Sequence, residues 1–301
     1  MALGATLFAL MNLLARVATS SASWASVAAV RALVGALVAF AVARMRGQSL
    51  AVKDGRAVFW RSLVGTVSMV ATFYALSSRT MSLGNTVTLL NLAPVFLAVL
   101  APIFLRERTT AAVALAIGLS LAGVVLVVRP AFLFGGAGLD DAGAGAASSG
   151  PSAGMTALVA VLAALSTSIA MMLLRRAGRT ETTEAIAFHF SLFAAATMGV
   201  LSLFDLRLPS LRDAACMVGA GLSAGFAQLA MTRAYALERA ARVGGMSYLA
   251  VVASALLGAA AFGERPGPTA IAGMVLVTAG GLVSVMKRDR SPTSLPTRHA
   301  S

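Results

Sequence analysis

An apolar run that ends in Leu105-Arg106-Glu107-Arg108 and leads into a second apolar run returns near the far end of the chain at Gly263-Glu264-Arg265. An offset of 157 residues carries Glu107 onto Glu264, and the same offset carries Ala116 onto Gly273 and Gly123 onto Gly280. The chain therefore reads as two related halves. In a sequence this apolar, the repeat restricts the fold more than any single residue does, because duplicated membrane bundles of opposite sense form a site where the repeats meet.

Of the 301 residues, 58 % are hydrophobic and only 12 % are charged, a balance foreign to a soluble domain of this length. A helix that spans a bilayer needs about 20 apolar residues, since its backbone polar groups must be satisfied internally. The apolar runs predict ten such spans, near 2–19, 24–43, 57–77, 83–104, 111–128, 155–174, 184–204, 213–235, 243–262 and 267–286. The expected fold is all-α, a polytopic membrane protein of ten transmembrane helices. Five spans per half is an odd number, so the second half enters the membrane from the other side and the halves become inverted five-helix repeats. The even total returns both termini to one face.

Charge assigns that face. Arg44, Arg46, Lys53, Arg56 and Arg61 cluster between spans two and three, and further Lys and Arg residues follow spans four, six, eight and ten, making sixteen on one side. The opposite side holds five: Arg79, Arg129, Arg207, Arg212 and Arg265. The positive-inside rule then predicts a multi-pass protein of the cytoplasmic (inner) membrane with both termini cytoplasmic. The net charge of +13 is spread over short membrane-flanking loops and forms no stripe, which excludes a nucleic-acid partner.

The expected organisation is a first repeat at 1–130, a flexible Gly/Ala/Ser-rich linker at 131–154, a second repeat at 155–286 and a disordered cytoplasmic tail at 287–301. The first apolar run has no charged region before it and reads as a retained helix. Cys216 is the only cysteine, so no internal disulfide forms.

The chain contains no phosphate-binding G-x-x-x-x-G-K-[ST] loop, no H-E-x-x-H and no C-x-x-C, and its two histidines, His189 and His299, lie in different settings. Neither a cofactor nor a metal nor a catalytic set is expected. For the rival reading from another class, an integral membrane enzyme acting on a lipid-linked phosphate substrate, no carboxylate pair or histidine with a nearby acid stands out in any one span or loop. The expected partners are a small-molecule substrate and membrane lipids, with a homodimer left open.

Particular residues point to a family. Phe73 to Ser78 (F-Y-A-L-S-S), Leu92 to Phe96 (L-A-P-V-F), Leu105 to Arg108 (L-R-E-R) and Ala122 to Val127 (A-G-V-V-L-V) resemble the EamA-type drug/metabolite transporters. Arg31-Ala-Leu-Val-Gly35 and Arg61-Ser-Leu-Val-Gly65 are similar to that family too. The second half repeats the pattern at Ala234 to Leu237, Gly263 to Pro266, Gly273 and Gly280, with Val251 standing where the first half has Pro94. The resemblance implies a two-repeat carrier that exports or exchanges a small polar metabolite (an amino acid, a nucleotide-like compound or an organic anion) by alternating access. It further implies that helices 1, 3, 4, 6, 8 and 9 surround a central cavity and that helices 5 and 10 are buttresses.

Polar residues inside spans are costly in hydrocarbon and usually face a cavity or a partner helix. In span four, Thr88, Asn91 and Pro94 follow one another at three-residue steps on one face, and the proline frees a carbonyl one turn earlier. Asn91 and its repeat counterpart Tyr248 are the leading candidates for substrate contact, followed by Thr88, Asn12, Arg16, Tyr74, Gln228 and Arg233. Arg16 and Arg31, if both face the cavity, favour a carboxylate or phosphate cargo. Arg31, Pro94, Glu107, Glu264, Gly123 and Gly280 are assigned to the scaffold, and His189 to packing. By this reading every Asp and Glu lies in a loop or at a helix end, so no midplane carboxylate is available for proton coupling.

Overall fold

The computed structural model describes residues 1–78, 80–81, 83–105, 152–205, 207–237, 249–263 and 267–286, with isolated positions between 115 and 126. These residues form ten helical segments: α1 (Ala2–Ala18), α2 (Trp24–Met45), α3 (Gly55–Ser77), α4 (Leu83–Leu90), α5 (Ala93–Leu105), α6 (Ala153–Ala177), α7 (Thr183–Ser202), α8 (Leu211–Leu237), α9 (Leu249–Phe262) and α10 (Pro268–Met286). Five of them, α2, α3, α6, α7 and α8, are long and apolar enough to cross a membrane. The helices agree with the expected spans to within three residues wherever both ends are described. Most of span five, the linker from 131 to 151 and the tail from 287 lie outside the described residues. The linker ends earlier than expected, because Ser152 already caps α6 and places Ala153 and Gly154 inside the helix.

Each long helix begins where a short polar side chain replaces a missing intrahelical acceptor. Ser23, Asp54, Ser152 and Thr182 accept the N–H of the residue three positions on, at 3.2, 3.0, 3.3 and 3.2 Å, and Ser210 does the same for Asp213 at 3.1 Å. Span four is interrupted. Pro94 has no N–H to return to Leu90, and the chain turns at 91–92, where Leu92 N donates to Leu89 O and Val95 N to Leu92 O at 3.1 and 2.9 Å. The expected single span is thus two segments, α4 and α5.

Helices of one half pack mainly on helices of the other: α1 on α8, α3 on α6, α2 on α7, α2 on α8, α3 on α7, α1 on α9, α6 on α4 and α5, and α4 on α9. Exchanging α1 with α6, α2 with α7, α3 with α8, and the α4–α5 pair with α9 maps this set onto itself. The contact between α2 and α8 is made close by Gly221 and Gly225, one turn apart. A Cβ at these positions would come within 2.5 Å of Val34 Cβ and 2.8 Å of Val38 Cβ. Large apolar side chains point outward, among them Leu37, Phe40, Leu158, Leu162 and Val275, the distribution of a protein whose solvent is lipid. The chain is an all-α, multi-pass integral membrane protein.

Loops of each half also tie helix starts of the other. Before α3, Glu181 accepts the backbone N–H of Lys53 and of Asp54, while Arg46 pairs with Glu184 at 2.9 Å and Thr182 donates to Ser49 O at 3.2 Å. Before α8, Ser20 and Ser21 donate to the Asp213 carboxylate, and Ser210 N donates to Ser21 Oγ at 3.2 Å.

Candidate functional site

A cavity of about 220 Å³ lies where the halves meet. From the first half, α1 contributes Phe8, Met11 and Asn12, α2 contributes Arg31, α3 contributes Arg61, Gly65, Ser68, Met69, Thr72 and Phe73, and the α4–α5 break contributes Leu90, Asn91 and Pro94. From the second half come Thr167 and Met171 of α6, Phe190 of α7, Gln228, Met231 and Tyr235 of α8, and Ala250 of α9. The helices expected around the cavity are therefore joined by α2 and α7, each through one side chain.

The two arginines are the strongest polar features of this wall. Arg31 is 6 % exposed, and its Nη1 donates to Met69 Sδ at 3.2 Å. Arg61 is 1 % exposed, with its guanidinium carbon 4.4 Å from the centre of the Phe190 ring. Gly65 makes room for it, since a Cβ there would overlap Arg61 Nη1 and come within 2.9 Å of Phe190 Cε2. Arg31 Nε and Arg61 Nε and Nη1 have no hydrogen-bond partner.

The candidates from the sequence are dispersed. Asn91 lines the cavity at the helix break and donates through Nδ2 to Val87 O at 2.9 Å, covering a carbonyl of the last turn of α4. Asn12 and Gln228 line it too, both nearly buried, with Gln228 Nε2 donating to Thr232 Oγ1 at 3.3 Å. Thr88 is fully buried but is not part of the cavity wall. Arg16 also stands away from that wall, with Nη2 donating to Met81 O at 2.7 Å and its guanidinium 5.5 Å from the Phe262 ring centre, tying α1 to the approach of α4 and the end of α9. Tyr74 packs edge-on against Trp24, with ring centres 6.0 Å apart. Arg233 is exposed and borders a separate crevice with Arg46, Gln48, Thr183 and Glu184. Tyr248, Glu107 and Glu264 lie outside the described residues.

Of the residues assigned to the scaffold, Arg31 and Pro94 line the cavity. Gly123 sits against α10, where a Cβ would come within 2.6 Å of Gly273 O, and Gly280 is buried within α10. His189 binds the Ala185 carbonyl of its own helix at 2.9 Å.

Arg61 is the residue that the sequence reading misplaced. The charge count groups it with the membrane-flanking residues between spans two and three, yet it lies more than a turn inside α3 and lines the cavity. The signal was present in the sequence: Arg31 and Arg61 each open an R-x-L-V-G segment, which sets a glycine one turn beyond the arginine.

Comparison with known proteins agrees with this architecture. The pseudopaline exporter CntI of Pseudomonas aeruginosa is 26 % identical over 90 % of this chain and 89 % of that protein. Human solute carrier family 35 member G1 is 27 % identical over 76 % of this chain and 61 % of its own length. One solved crystal structure superposes with a TM-score of 0.69 at 22 % identity, covering 94 % of both chains, and so shares the fold. Residues 1–129 and 154–286 each match the EamA-like transporter family, which comprises carriers and not enzymes. With two such domains over most of its length, the chain belongs to the EamA-like transporter family.

Proposed function

We propose that the protein carries a small polar metabolite across the cytoplasmic membrane by alternating access. Two inverted five-helix repeats, 1–130 and 155–286, would rock about the central cavity, with both termini in the cytoplasm. The observation that carries this reading is a cavity between the halves whose walls mix Asn12, Asn91, Gln228, Ser68 and Thr72 with thioether and aromatic side chains inside an otherwise apolar body. Similarity to a protein named as an exporter supports outward movement, while the absence of an acid among the described cavity-lining residues fits uncoupled facilitation or exchange at least as well as proton coupling.

Asn91 and Tyr248 would set specificity from opposite sides, with Thr88, Asn12 and Gln228 nearby in sequence or space. The test is flux of a radiolabelled metabolite panel into and out of liposomes that contain the purified protein. Asn91→Ala is expected to lower the flux of the transported solute, and unchanged flux would remove Asn91 from the site. For topology, membrane-impermeant thiol reagents added outside cells should label a cysteine engineered in the 131–151 linker and spare one in the 46–54 loop. The reverse pattern would invert the assignment.

A further inference from the structure

The cavity contains two guanidinium groups and, among its described lining residues, no carboxylate. Arg31 meets only a thioether sulfur, a weak acceptor, and Arg61 meets only the face of a phenyl ring. Nitrogen atoms of both remain unpartnered although the side chains are more than nine-tenths buried. A cation held in an apolar interior without a counter-charge is strongly unfavourable, and such residues mark ligand paths through membrane proteins.

The spacing of the two groups adds to this. Arg61 Nη1 lies against Gly65, and Arg31 Nη1 lies against Met69, the next turn of α3. Both guanidiniums therefore contact the same face of α3, at positions four residues apart. Ser68 and Thr72 stand beside them on that helix, and the remaining wall is apolar and polarizable, through Met11, Met171, Phe73 and Phe190.

We infer that Arg31 and Arg61 form an anion-binding pair, so that the cargo is a small organic oxyanion whose carboxylate or phosphate oxygens accept from the two guanidiniums while an apolar body rests on the thioether and aromatic wall. This deepens the carrier reading above and rests on it for the movement of that solute, though not for its binding. The repeat counterparts of Arg31 and Arg61, 157 residues on, are Phe188 and Val218, so among the described lining residues the positive charge comes from the first half. The anionic end of the solute would face Arg31 and Arg61, and its body would face Met11 of α1 and Met171 of α6.

The test uses the full-length protein in detergent and reads its melting temperature against matched probes: benzoate, phenylsuccinate and phenyl phosphate, the neutral amides of the two acids, and benzyltrimethylammonium. One or more oxyanions should raise the melting temperature while the amides and the cation do not. Arg61→Gln and Arg31→Gln should each weaken that response about tenfold or more, as expected for loss of a charged hydrogen-bond donor, and Arg61→Lys should retain part of it. The ligand-free Arg61→Gln protein should melt at or above the parent, since it loses an uncompensated buried charge, which separates loss of binding from loss of folding. If that variant does not fold, Arg31→Gln together with Arg61→Lys carries the comparison.

Silence of every oxyanion, equal response to acid and amide, preference for the cation, or a full response in the arginine variants would overturn the pair. The same probes loaded into proteoliposomes distinguish this from failure of the carrier reading. Oxyanion binding without movement defeats the carrier and upholds the pair, while movement of the amide or the cation in preference does the opposite.

Discussion

The backbone N–H of Asp54 donates to Glu181 Oε1 at 2.6 Å while the Asp54 side chain turns inward to accept from Ala57 N, so one residue at the start of α3 is held by the other half of the molecule and holds its own helix at once. Burial pushes the Glu181 carboxyl up, but the N–H donors of Asp54 and Lys53, the Thr180 hydroxyl and the Lys53 charge outweigh this and hold it below its ordinary value of about 4.5. A depressed folded-state value means that the stabilisation is fully present above the unfolded value and is lost as pH falls through the folded one. Glu181→Gln should lower the melting temperature at pH 7, by a free energy on the order of 1 kcal/mol, and the difference from the parent should vanish as the pH drops toward 3. Melting curves of both proteins across that range check it.

At the start of α8 the acid sits on the helix and the donors on the loop. Asp213 is nearly buried and accepts from Ser20 and Ser21, so Asp213→Ala leaves two hydroxyl donors without their acceptor. The expected loss is about 1–3 kcal/mol. A double-mutant cycle with Ser21→Ala should show clear coupling, and additive losses would mean that the contact contributes nothing of its own.

Gly221 and Gly225 allow α2 and α8 to touch through Val34 and Val38. Gly221→Val forces those helices apart and should cost about 1–3 kcal/mol, whereas Gly55→Ala, where a Cβ meets nothing within 4 Å, should change little. Thermal denaturation in a single detergent compares the two.

Pro94 removes a backbone bond from span four and lines the cavity. Pro94→Ala should raise thermal stability by about 1–3 kcal/mol as the Leu90 carbonyl regains a donor, and should lower flux in liposomes as the turn at Asn91 closes. A variant that gains stability and keeps full flux would separate the helix break from transport.

Gly65→Ala pushes directly on Arg61 and Phe190. Its effect should fall on solute affinity more than on expression or monodispersity, because the charge remains and only its position changes. Saturation curves for the transported solute, read as KM against maximal rate, decide this.

The helices themselves were legible in the residue pattern because a bilayer demands long apolar runs and polar starts, and the serines, Asp54 and Thr182 that cap α2, α3, α6 and α7 stand where those runs begin. Pro94 likewise announced the break in span four. The cavity was less legible. Arg61 reads as a membrane-flanking charge beside Arg56 until its guanidinium is found on the Phe190 ring in the cavity wall, and Arg16 reads as a cavity cation until it is found donating a hydrogen bond to Met81 O. Sequence spacing says which residues share a helix face, but which face meets the cavity depends on rotation of each helix against its neighbours, and that is set by contacts such as those of Gly221 and Gly225, spread across both halves.

Each half lends the other the loop that completes its third helix, Glu181 for α3 and Ser21 for α8. A single domain standing alone would leave the start of its third helix without these partners. The matched joining loops bind the two domains while other positions differ between them, as Arg31 differs from Phe188 and Arg61 from Val218.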